Sequence, residues 1–294
     1  MAERAPHADG RGVPQELVRV VRSNHCPGVE LIEVLHSPRT WGHLNGVFAF
    51  GRMRDWHGAL AYRRRNLSLN SGDTFLFDPG ELFHAPPHEG RAGEFRVVEI
   101  LPAAFEALCH AEGHCAPLHF AQVIPRGTPD LDAALDALRA ALVRDAEPLE
   151  QQSRLAALAH AAVTGVLERG ARSFNSSVPL GPCERLREIL HSSEGTRVNL
   201  CDFARGAGVS QFQLLRSFKR RYGSPPHAYG LQVRVERGRQ LLRSGFTVAQ
   251  TAAATDFTDQ SHFTRHFRRI WGVTPGQYAA GSLQRTPARE PAPR

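Results

Sequence analysis

Lysine is almost absent from this 294-residue chain: Lys219 stands alone, and all other fixed positive charge is arginine. Cysteine is scarce as well. The five thiols, at positions 26, 109, 115, 183 and 201, are an odd number without the spacing of a disulfide framework, and they read as free thiols of a reducing compartment. No apolar run approaches the roughly 18 residues a membrane-spanning helix needs. The opening from Met1 to Gly10 lacks the apolar core of a signal peptide, so the expectation is a cytoplasmic protein. Acidic residues are in deficit, 29 against 36 basic ones, and the deficit is local. From residue 180 onward 18 basic residues face 8 acidic ones, whereas the preceding part is slightly acidic. That asymmetry points to a polyanionic partner for the carboxyl-terminal part alone.

What is present, in that basic part, is a repetition. Arg216, Phe218, Gly223, Pro226 and Tyr229 recur as Arg265, Phe267, Gly272, Pro275 and Tyr278, all at an offset of 49 residues. Five matches in register signal a duplicated structural unit. In each copy a run of basic helix formers ends on glycine, the residue type that tolerates a left-handed helix terminus. Proline follows, suited to the first turn of another helix. Ser210 and Asp259 stand where N-caps are expected, and Leu214 with Phe218, then Phe263 with Phe267, form buried stripes at helical spacing. A shorter helix precedes each: Leu200 to Val209 and Val248 to Phe257. Short helix, tight turn and second basic helix is the helix-turn-helix arrangement. A solenoid array would need three or more copies, and there are two.

Residues 184–283 resemble the DNA-binding domain of AraC/XylS-type transcription regulators. In the second copy Phe257, Gln260, Ser261, His262, Phe263, Arg265, Phe267, Arg268, Gly272, Thr274, Pro275 and Tyr278 carry the resemblance. In the first copy it rests on Leu200, Ala204, Ser210, Leu214, Arg216, Phe218, Lys219, Gly223, Pro226 and Tyr229. Asp256 replaces the family's usual glycine, Thr251 its isoleucine and Gly238 its alanine. Asp tolerates a left-handed turn; a helical glycine costs about 1 kcal/mol relative to alanine, which predicts a soft joining helix. Helical phase and the resemblance together assign base reading to Gln211, Phe212, Leu215 and Arg216 in the first unit and to Gln260, Ser261, His262 and Arg265 in the second. Lys219, Arg220, Arg221, Arg268 and Arg269 are expected to grip phosphates.

The amino-terminal half breaks into short apolar segments between turn residues, the pattern of an all-β sandwich or barrel. Gly72 to His84 resembles the second half of the cupin motif found in sensor domains of the same regulators. The first half would centre on His43, but its second histidine is replaced by Asn45. One clear ligand per half makes a metal centre unexpected, and neither metal nor cofactor is predicted. Trp41, His43, Trp56, His57, Tyr62 and His84 are the candidate lining of a small-molecule pocket; each aromatic has the alternative of simply filling a core. Cys109, His110, His114, Cys115 and His119 cluster in sequence, at a spacing that matches no common zinc site.

From Pro129 the period becomes helical, with Leu131, Leu135, Leu138 and Leu142 on one helix and Leu155, Leu158, Ala162 and Val166 on a second. Such helices resemble the family's dimerisation segment, the alternative being that they pack on their own barrel. The expectation is an α+β multidomain chain: flexible arm 1–15, cupin-like β-barrel 16–125, helical dimerisation segment 126–170, linker 171–183, all-α double helix-turn-helix domain 184–283, disordered tail 284–294. Its implied role is a ligand-responsive activator. The implied partners are double-stranded DNA, a small-molecule effector, RNA polymerase and a second copy of itself. A cupin-type metalloenzyme or a DNA-repair fusion with an accessory DNA-binding domain is the alternative; a protein binding DNA without sequence preference is a third class.

Overall fold

In segments such as residues 29–34 and 95–100 successive residues turn to opposite faces, and the computed structural model shows what each face meets. It describes residues 16–62, 65–86, 92–113, 120, 122–124, 128–167, 181–192, 198–281 and 284–285. The expected arm, His114, Cys115 and His119, most of the expected linker and residues 286–294 lie outside the described residues.

The strands are β1 Leu17–Arg22, β2 Val29–Ser37, β3 Leu44–Asn45, β4 Phe48–Asp55, β5 His57–Tyr62, β6 Arg65–Asn70, β7 Thr74–Phe77, β8 Glu81–His84, β9 Gly93–Ile100, β10 Gln122–Ile124 and β11 Gln284–Arg285. They form a seven-stranded sheet, ordered β10-β7-β4-β9-β2-β1-β11, and a four-stranded sheet, β3-β8-β5-β6. Ile32, Val34, Ala49, Phe75, Phe77, Phe95 and Val97 of the larger sheet share an interior with Trp41, Trp56, Leu60 and Leu69. Their sequence neighbours Leu31, Phe48, Phe50, Leu76, Val98 and Ile100 form the opposite face. Two-residue alternation thus gives the sheet two buried surfaces, and β2 is buried without interruption from Val29 to Val34 because both are covered.

The outer surface is covered by α1 Pro102–Ala111, α2 Pro129–Val143 and α3 Pro148–Leu167. Leu131, Leu135, Leu138 and Leu142 of α2, with Leu155, Leu158 and Ala162 of α3, are buried in that contact. The leucine stripe thus packs on the sheet of the same chain, the alternative named for it beside a dimer contact. Polar contacts border the stripe. Arg139 Nε meets Glu33 at 2.5 Å, Arg96 Nη1 meets Asp136 at 2.7 Å, and the Thr74 hydroxyl donates to Asp132 at 2.8 Å.

The carboxyl-terminal part is helical: α4 Pro182–His191, α5 Leu200–Gly206, α6 Gln211–Tyr222, α7 Pro226–Arg243, α8 Val248–Ala254, α9 Gln260–Trp271 and α10 Pro275–Ala279. The boundaries differ from expectation in two places. Helix α4 already starts at Pro182, inside the expected linker. Gln284 and Arg285, expected to be disordered, pair with Val18 and Leu17 of β1. The helices do not stand clear of the barrel. Leu44 joins the core of Leu186, Leu214, Phe218 and Tyr229, with Leu82 packed against it, whereas Phe263, Phe267 and Trp271 are continuous with the barrel interior. Among the described residues no helix is long and apolar enough to cross a membrane.

Candidate nucleic-acid interface and ligand cavity

Helices α6 and α9 are built alike. The Ser210 side chain accepts from the Gln213 amide while Gln213 reciprocates, and Asp259 accepts from the His262 amide at 2.7 Å, so each helix starts on a side-chain cap. Each ends on a left-handed glycine, Gly223 at φ 75° and Gly272 at φ 77°. Leu214 and Phe218 in one, Phe263 and Phe267 in the other, are buried. The opposite faces carry Gln211, Phe212, Arg216, Gln260, Ser261 and Arg265, all exposed, with Leu215 and His262 half-buried beside them. Phe212 is 72% exposed, unusual for so large an apolar side chain. Lys219, Arg220, Arg221, Arg268 and Arg269 are exposed further along, and Arg221 is ion-paired with Glu184 of α4.

Two of the three departures noted in sequence meet in space. A Cβ on residue 238 would lie 2.7 Å from the Phe263 ring and 3.2 Å from Thr251 Cγ2. Gly238 therefore lets α7 approach α9 closely, and what looked like a soft spot is a packing requirement. The third, Asp256, takes the left-handed conformation expected of it, at φ 54°.

Inside the barrel lies a cavity of about 40 Å³. Trp41, His43 and Trp56 line it, as do Met53, Phe83 and Phe95, which sequence did not single out. Tyr62 and His84 instead border a separate groove of about 700 Å³ against the first repeat unit, and His57 lines neither. The His43 Nδ1 and Trp56 Nε1 atoms are buried without a hydrogen-bond partner. Burial, and after it the Arg239 guanidinium, pushes the His43 imidazole down to about 3, so the ring is neutral. Among the described residues no group of three or more His, Cys, Asp or Glu could hold a metal ion. Cys109 is buried, and burial followed by Glu106 and Glu112 raises its thiol to about 11, which leaves it unreactive.

One wall of the cavity comes from the other half of the chain. Trp271, the last residue of α9, lies with its ring centroid 4.3 Å from that of His43 and under the Arg239 guanidinium at 4.2 Å. Arg239 is completely buried. It donates to Glu236 at 3.0 and 2.9 Å, pairs with Glu99, and stands 3.7 Å from Glu30. Glu30 in turn meets Arg22 Nε at 2.7 Å and Arg243 Nε at 3.3 Å, and accepts from the Tyr278 hydroxyl at 2.6 Å. Burial alone would raise the Glu30 carboxyl, but Arg243, Arg239 and Arg22 together hold it below the usual range. Arg22 also donates to the Tyr278 and Ala279 carbonyls. Three carboxylates and three guanidinium groups thus join barrel to helices. Nothing in the sequence marked them, since Glu30, Glu99 and Arg239 lie far apart along the chain.

Two family patterns match this arrangement: one described as a helix-turn-helix domain over residues 203–281, the other as an AraC-like ligand binding domain over residues 57–160. This chain belongs to the AraC family. The relatives it is similar to include the uncharacterized HTH-type transcriptional regulator YbfI of Bacillus subtilis, 27% identical over 75% of this chain and 80% of that one. MtrA of Neisseria gonorrhoeae is 35% identical over 27% of each chain, and the virulence regulon activator VirF of Yersinia enterocolitica 34% identical over 33% of this chain and 36% of its own. The matches to these last two span about a third of either chain or less. Among solved structures, ToxT of Vibrio cholerae O395 shares the fold at a TM-score of 0.53 and 13% identity, covering 86% of this chain and 96% of ToxT. The three relatives bear the names of transcription regulators or activators, none that of an enzyme.

Proposed function

We propose that this AraC-family chain is a cytoplasmic, sequence-specific transcription activator. Helices α6 and α9 enter successive major grooves of one duplex, and a small molecule held in the barrel sets their activity. The supporting observation is that two equivalently capped helices bury their apolar faces and leave every assigned base-reading side chain outside the core. Helix α7 joins them; its 18 residues span about 27 Å at 1.5 Å per residue, close to the ~34 Å of one DNA turn. Arg216 and Arg265 each suit a guanine edge and Gln260 an adenine edge. Phe212 and Leu215, which cannot hydrogen-bond, suit thymine methyl groups. Lys219, Arg220, Arg268 and Arg269 hold phosphates and set register, while Arg221 does so only after leaving Glu184.

Selection of bound fragments from random DNA tests the reading. Arg216→Ala and Arg265→Ala each relax preference at one base position, at about 1–3 kcal/mol of discrimination. Lys219→Ala weakens all sequences alike and lowers the salt slope by about one. Identical patterns for Arg216→Ala and Lys219→Ala across the library would remove the division between reading and gripping. For the effector, a thermal-shift screen followed by operator-affinity measurement is decisive: no compound altering either sinks the ligand-responsive part.

A further inference from the structure

The barrel cavity is too small for the role just assigned to it. Small-molecule sites commonly enclose about 300–1,000 Å³, whereas this one holds about 40 Å³, room for a few waters at most. A wall has to move. Among the described residues, every one that lines the cavity except one lies between Ile32 and Glu99 and belongs to the two sheets or the turns between them. Those walls are tied by strand ladders, and opening them breaks the fold. The exception is Trp271, which enters from the end of α9 and is held by contacts between the two halves of the chain.

We propose that Trp271 is a displaceable plug: an uncharged, ring-sized, largely apolar effector takes the volume of its indole, so effector binding and seating of the α9 terminus on the barrel exclude each other. The proposal rests on the ligand-responsive reading above and names the class and the coupling. The class follows from the lining. Aromatic faces from Trp41, Trp56, Phe75, Phe77, Phe83 and Phe95 surround the space. Unpartnered His43 Nδ1 and Trp56 Nε1 offer hydrogen bonds to a polar substituent. Glu30, Glu99 and Glu236 are already matched by Arg22, Arg239 and Arg243, and an entering charge would be desolvated without a counterion. The coupling follows from the repeat. Tyr222 is the residue 49 positions earlier, yet it packs on Phe218 and Tyr229 within its own unit and borders the open groove. Only the second unit closes the cavity.

Calorimetric titration of the full chain with indole tests this, on wild type, Trp271→Ala, Trp271→Phe and Tyr222→Ala. Removing the plug leaves an indole-shaped space, so Trp271→Ala binds indole at least tenfold more tightly than wild type. Trp271→Phe falls between, and Tyr222→Ala matches wild type. Where wild type does bind, indole raises amide exchange over Arg268–Gly272. Equal affinity in wild type and both Trp271 variants overturns the plug, as does indole bound to wild type without that rise in exchange. Should Trp271→Ala fail to fold, Trp271→Phe and the exchange measurement still decide. Indole-3-carboxylate binding Trp271→Ala as tightly as indole overturns the uncharged class. Failure of the ligand-responsive reading looks different: Trp271→Ala still takes up indole, while no compound changes the operator affinity of wild type.

Discussion

The two helix-turn-helix units repeat each other position for position at their caps and buried stripes, yet they meet the barrel differently. The first touches an edge. The Tyr229 hydroxyl lies 2.9 Å from His191 Nε2 and 3.5 Å from the carbonyl of Gly80 at the barrel edge, to which Arg187 donates at 2.9 Å. The second goes inside. Trp271 closes the cavity, and the Tyr278 hydroxyl donates to Glu30 within a buried charge network. A duplicated sequence has thus supplied one unit docked shallowly and one coupled to the barrel interior. The lesson is that equivalent repeats can meet the rest of the chain differently while keeping the same capped-helix geometry.

The largest effect separates the two seams by charge. Arg239→Ala leaves Glu30, Glu99 and Glu236 buried with too little positive charge, and costs about 3–5 kcal/mol. Arg187→Ala at the first unit's edge costs about 1–2 kcal/mol in lost hydrogen bonds. Urea denaturation of both variants measures the gap, and equal costs would erase the distinction between the seams.

Acidity offers the next test. Burial depresses His43 to about 3 and His191 to about 4, both from an ordinary 6.5, so below pH 6.5 the unfolded chain binds protons the folded one refuses. Each histidine contributes stability that is complete above pH 6.5 and is lost as pH falls toward the folded value, by up to about 1.4 kcal/mol per unit. Denaturation midpoints between pH 7 and pH 5 should therefore fall, and His43→Gln and His191→Gln should each flatten that fall.

Smallest is a contrast within α7. Gly238→Ala drives a methyl into Phe263 and lowers stability by about 1 kcal/mol net of the helix propensity gained. At Gly230 the added Cβ would meet only Leu190 Cδ2, at 3.2 Å, the movable end of a side chain. Gly230→Ala should be neutral or mildly stabilising in thermal melts; the reverse order would mean that the close α7–α9 approach does not matter.

Much of this was legible in the chain because the signals are local. Caps, left-handed glycines and helical stripes act within a few residues, and Ser210, Asp259, Gly223 and Gly272 stand where they were expected. The apolar strand segments were also legible, as was the presence of Trp41, His43 and Trp56 in one region. The destination of an apolar stripe was not. Leu131 to Leu142 has the same period whether it faces a partner or its own sheet, and only packing distinguishes them. Gly238 likewise read as a helix weakness, because the Phe263 ring that needs the space is remote in sequence.

The sequence by itself determined the duplicated DNA-binding unit, the β-rich amino-terminal half and the placement of positive charge, since each depends on short-range periodicity or composition. Tertiary structure alone decided that Arg239 would be buried among three glutamates and that Trp271 rather than Tyr222 would close the barrel. Those outcomes depend on which surfaces come together when two separately patterned halves of the chain pack, and no local periodicity encodes that.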